Sequence, residues 1–69
     1  MDTINTDWTA EDWAAYYDER AGIREFDAGL GRALAEAMAF KETVKKYRIA
    51  YGLLSDEAAR ALKKMGVGA

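Results

Sequence analysis

Ala33, Ala37, Phe40, Val44, Tyr47 and Tyr51 recur at alternating spacings of four and three. That repeat keeps six side chains on one side of an α-helix and suits no β-strand, whose faces alternate every second residue. A chain of 69 residues built around such a stripe, with no Pro and with many Ala, Glu, Lys, Leu and Arg, is expected to be helical throughout. The stripe predicts a helix over about 31–51, stopped by Gly52.

The flanking segments carry their own start and stop signals. Thr9 reads as an N-cap whose hydroxyl accepts from the Asp12 amide, with the Asp12 carboxylate reaching back to close a capping box. Trp8 and Trp13 fall at the two positions of a hydrophobic staple, and Glu11 and Asp12 suit the positive end of the helix dipole. A first helix is therefore predicted over about 10–28. Its apolar residues are Trp13, Tyr16, Tyr17, Ile23, Phe26 and Leu30, and Asp18, Glu19, Arg20, Arg24 and Glu25 are assigned to its wet side.

Gly22 implies close approach by another backbone, and Gly29 and Gly31 a left-handed cap and short turn. Ser55 is expected to cap a third helix over about 56–65, acidic at its start (Asp56, Glu57), basic at its end (Lys63, Lys64) and terminated by Gly66. Leu54, Ala58, Leu62 and Met65 form its expected inner face. The fold class is thus all-α: one domain over 1–69, an antiparallel hairpin closed by a short third helix. Trp13, Phe26, Phe40, Val44 and Tyr47 are the expected core, and residues 1–7 and 67–69 are expected to fray.

The chain has neither Cys nor His. That removes thiolate nucleophiles, the usual zinc ligands and the side chain that titrates nearest neutrality. A carboxylate site built from Asp12, Asp18, Glu19 and Glu25 would have to work on exposed acids whose pKa has no reason to move. No enzyme, metal or cofactor is expected. With no apolar run long enough to span a membrane and no basic-then-apolar N-terminal segment, the chain reads as cytoplasmic with no membrane partner.

Two surfaces suggest binding. Trp8, Trp13, Tyr16, Tyr17 and Phe26 place five of the eight aromatics within residues 8–26, and adjacent Tyr16 and Tyr17 diverge by about 100° on a helix. Both cannot enter one small core. Trp8, Asp12, Tyr16, Tyr17, Asp18 and Glu19 are therefore the candidate contacts for a protein partner, aromatic anchors bordered by acids. The alternative is a helix-turn-helix-like nucleic-acid-binding regulator using Lys41, Lys45 and Arg48 on the second helix, with Lys46 nearby, and Arg60, Lys63 and Lys64 on the third.

Residues 1–36 hold nine acids against three Arg, whereas residues 37–69 hold seven Lys and Arg against three acids. The acidic half opposes a freestanding DNA binder, and the plain account of the basic strip is a solvated face steadied by Glu42 and Lys46 four residues apart. A homodimer is a further way for so short a chain to complete its core.

Within residues 12–40, Trp13, Tyr17, Glu19, Arg20, Ala21, Ile23, Glu25, Phe26, Asp27, Gly29, Leu30, Arg32 and Glu36 match a W-x3-[FY]-x-E-R-A-[AG]-I-x-E-[FY]-D-x-G-L-x-R pattern followed by an Ala/Glu-rich helix. This segment resembles small helical proteins of bacterial prophages and mobile elements, and departs from their pattern at Ala28, Gly31 and Leu34. The resemblance implies a genomic setting rather than an activity. Small proteins of that setting often occupy a surface of a host protein complex, CRISPR effectors included, so the expected function is a non-enzymatic binding module, an anti-CRISPR-like inhibitor of host defence among its forms.

Overall fold

The computed structural model describes residues 6–27 and 29–68. They form three helices: α1 (Ala10–Phe26), α2 (Arg32–Tyr51) and α3 (Ser55–Lys64), with no strand among the described residues. The first two pack along each other as a hairpin, and α3 lies against α2. The expected helical hairpin closed by a shorter third helix is the architecture found. Ala28, at the expected end of the first helix, lies outside the described residues, as do residues 1–5 and Ala69 of the expected frayed ends.

Local signals set the boundaries. The Asp12 amide donates to Thr9 Oγ1 at 3.3 Å and the Thr9 amide to Asp12 Oδ2 at 2.9 Å, completing the capping box. The Trp8 and Trp13 rings meet edge to face, 4.7 Å between centroids. Gly52 stops α2 in the left-handed region at φ 67°, where its amide and that of Leu53 both reach the Arg48 carbonyl.

The start of α3 differs from expectation. Leu54 occupies the N-cap position and Ser55 is the first helical residue. Leucine offers no side-chain acceptor, so only half a capping box forms: the Leu54 amide donates to Glu57 Oε1 at 3.0 Å. That orientation leaves Leu54 70% exposed, outside the inner face made by Ala58 and Leu62.

The stripe on α2 is also rotated. Its buried residues are Ala35, Ala39 and Thr43; Ala33, Ala37 and Tyr51 are exposed, and Phe40, Val44 and Tyr47 are only half-buried. The reason is that α2 serves two neighbours. Small side chains at 35 and 39, with the buried Ala21 of α1, admit close packing of the hairpin, while the larger Phe40, Val44 and Tyr47 pack beside the cluster of Trp13, Leu62 and Val67. The Thr43 hydroxyl, buried here, donates to the Ala39 carbonyl at 2.7 Å.

Beyond α3 the chain folds back onto the core through Val67. Val67 is 1% exposed, its amide donates to the Leu62 carbonyl at 2.9 Å, and Gly66 sits at φ 87°. A left-handed glycine followed by an apolar residue folding back on the last helical turn is a Schellman cap. Gly68 continues it against Phe40, so closely that an added Cβ would lie 2.5 Å from a ring carbon.

Phe26, expected in the core, is 81% exposed. It closes α1 at the tip of the hairpin, whereas α3 packs near the opposite end, where Trp13 and Tyr47 meet at 5.0 Å. Among the described residues nothing covers it. Across that tip Arg32 is held by Glu25 and Glu36, both at 2.9 Å, and Gly29 adopts φ 69°. A Cβ added to Gly22 would meet nothing within 4 Å, so no close helix approach explains that glycine.

Candidate protein-binding site

The six residues expected to form one docking surface do not stay together. Tyr16 turns toward the N-terminal segment, its ring 5.9 Å from that of Trp8. Tyr17 turns to the opposite flank, where it meets the edge of Phe40 at 6.5 Å. Asp18 follows Tyr17, and the two line a polar hollow of about 300 Å³ with Glu36 and residues 66–68. None of Trp8, Tyr16 and Tyr17 is sealed in the interior; all three are half-exposed. Burial, then the nearby Glu36, pushes the Tyr17 hydroxyl above its usual pKa.

A different set does share a line. Asp12, Tyr16, Glu19, Ile23 and Phe26 alternate spacings of four and three, and at 100° per residue fall within about a quarter turn of the helix circumference. Asp12, Glu19 and Phe26 are exposed, and Tyr16 and Ile23 are half-exposed. Trp8 extends the strip through its contact with Tyr16. Of the residues singled out in the sequence, Trp8, Asp12, Tyr16 and Glu19 belong to it; Tyr17 and Asp18 do not. Ile23 and Phe26 were missed as site residues because periodicity assigns them to the apolar side. They come into view as candidates because no helix among the described residues covers the hairpin tip.

Charged groups fix this flank. Lys46 leaves the basic strip to place its ammonium 5.5 Å from the Trp8 ring centre and 5.4 Å from that of Tyr16. Glu42 is consequently free of it and instead binds Arg20, at 2.9 Å, and Arg24 across the hairpin. The two arginines assigned to the wet side are thus half-buried between the helices.

Burial pulls the Glu42 carboxyl up, but bonds and charge from Arg20 and Arg24 outweigh it and hold the pKa below the usual carboxylate range. A lowered folded-state pKa gives stability that is complete above the unfolded value of about 4.3 and is lost as pH falls through the folded one. In urea titrations at neutral and strongly acid pH, Glu42→Gln is therefore expected to lose less stability on acidification than the native chain. An equal loss in both would remove Glu42 from the acid response.

The six basic residues also divide. Lys41, Lys45 and Arg48 line a cleft between α2 and α3; Lys63 does not line it but sets its ammonium 5.7 Å from the centre of the Phe40 ring, part of which does. Arg60 and Lys64 are exposed and do not line it. Among the described residues, no group of three or more acidic side chains is arranged to hold a metal ion, and no helix is long and apolar enough to cross a membrane. The fold and surfaces define a three-helix all-α protein with divided charge. No family model, curated protein or solved structure matches the chain.

Proposed function

We propose that this chain is a small non-enzymatic protein-binding module that docks a partner along the outer strip of α1. The observation that carries the reading is Phe26, 81% exposed on a helix line that also presents Tyr16 and Ile23. A large ring held in water at the end of a half-exposed apolar line, with Asp12 and Glu19 beside it, has the composition of an interface anchor with a charged rim. The setting, a phage or mobile element whose partner is a host protein complex, rests on the resemblance of residues 12–40. Within it, occupying that complex to inhibit defence is the form of action we favour.

Photo-crosslinkers at Glu19 and, as a control, at the exposed Ala37 of α2 test the surface in host extract. The Glu19 position should trap a discrete protein that the Ala37 position does not. Phe26→Ala should weaken its capture by roughly 30-fold, the effect of a hot-spot anchor worth about 2 kcal/mol. Folding should hardly respond, since a surface substitution typically shifts stability within about 0.5 kcal/mol. Undiminished capture by Phe26→Ala would remove the assignment.

A further inference from the structure

The cleft between α2 and α3 has a volume of about 420 Å³, and its residues come from neither α1 nor the strip described above. Its floor is apolar: Val44, Ala59 and part of Phe40. Along one side stand Lys41, Lys45 and Arg48, spaced four and three apart so that one helix face carries all three over about 10 Å. Ser55 and Asp56 form the other side, and Asp56 is the one acid lining the cleft. Among the described residues Lys41 and Lys45 take part in no ion pair. Arg48 donates from Nε to the Leu53 carbonyl at 3.1 Å, which holds its guanidinium at the mouth.

An apolar recess edged by three cations selects a ligand that is anionic and also has an apolar group to bury. Single-stranded nucleic acid meets the first condition, but stacking of bases on exposed rings supplies about 1–3 kcal/mol per base in such complexes. Here the one ring in the cleft is already occupied. Gly68 lies against Phe40, Tyr17 meets it edge to face and the Lys63 ammonium sits over it. A duplex backbone has no group to place in a recess.

We infer that the cleft binds an acidic peptide segment of a partner protein, seating an aliphatic side chain on Val44 and Ala59 between carboxylates that pair with Lys41, Lys45 and Arg48. The length of the cationic row corresponds to about three residues of extended chain at 3.3 Å each. The recognised pattern is a Leu, Ile or Val with an acid two residues to either side, since every second side chain of an extended segment shares a face. Salt weakens the complex, since these cations are exposed and screened within about 8–10 Å at physiological ionic strength.

The test uses the full chain and fluorescence anisotropy with a labelled peptide of four Asp-Glu-Leu repeats. Saturable binding is expected, at least tenfold tighter than for a peptide of four Asp-Glu-Ser repeats, which lacks the apolar group, and for one of four Asn-Gln-Leu repeats, which lacks the charge. The doubly substituted chain Lys41→Glu, Lys45→Glu should lose at least tenfold while keeping its circular dichroism spectrum. Phe26→Ala should bind as the native chain does, which separates this site from the α1 reading. Equal binding of the Asp-Glu-Ser peptide, indifference to the double substitution, or tighter binding of oligothymidylate would each overturn the proposal. So would sedimentation showing that the double substitution dissociates a dimer, because the occupant would then be a second copy.

Discussion

Trp13→Ala is expected to leave the chain largely unfolded at room temperature. Trp13 is 1% exposed and forms, with Leu62 and Val67, the buried cluster that joins α1 to α3. Its ring also supports Trp8 at 4.7 Å and Tyr47 at 5.0 Å, so the cavity left behind cannot close without disturbing both. Truncating a buried Trp costs about 3–5 kcal/mol. A domain of this length holds roughly 3–10 kcal/mol in total, at about 0.05–0.15 kcal/mol per residue. Far-ultraviolet circular dichroism of the variant should lose most of its helical signal. A cooperative transition within a few degrees of the native one would show that the cluster does not govern stability.

Val67→Asp should have the next largest effect, at a position that composition and location alone would class as tolerant. Two responses are open to the variant. Burying an unpaired carboxylate costs about 3–5 kcal/mol. Peeling the turn after α3 into water instead forfeits the burial of Val67, about 1.5–3 kcal/mol, and uncovers part of Leu62 and Phe40. The cheaper response sets the observed loss, so roughly 2–4 kcal/mol is expected in a urea titration. Val67→Ile, which keeps the apolar contact, is the matched control. A loss below about 0.5 kcal/mol, the range typical of surface positions, would mean that residues 66–68 contribute nothing to the fold.

The helices could be read from the sequence because their determinants are local. Thr9, Asp12 and Gly52 act within a turn of themselves, and each does in the structure what its side chain or φ angle requires. What could not be read was which helix covers which. The α2 stripe is drawn by the largest apolar residues, whereas the closest packing goes to Ala35, Ala39 and Thr43 because they are small. Phe26 and Val67 exchanged their expected places for the same reason: burial depends on the reach of α3, which periodicity along one helix does not encode. Part of the candidate site was lost in the same way. Tyr16 and Tyr17 do diverge, as adjacent helical residues must, but only the position of Phe40 determines that Tyr17 turns inward. The partner of Glu42 likewise lies 22 and 18 residues away rather than four.

The apolar cluster and the alanine seam occupy opposite ends of the hairpin, and the two ends are not equally secure. Near Trp13 the helices are locked by interdigitated rings and by α3; toward Phe26 they are joined by methyl groups and guanidinium–carboxylate clasps open to water. Backbone amides of residues 22–27 and 29–34 are therefore expected to exchange with deuterium through partial openings, and those around 13 and 44 only when the whole molecule comes apart. The proposed docking strip runs from one end to the other, so its Ile23 and Phe26 portion could reshape itself against a partner without drawing on the rings that keep the chain folded.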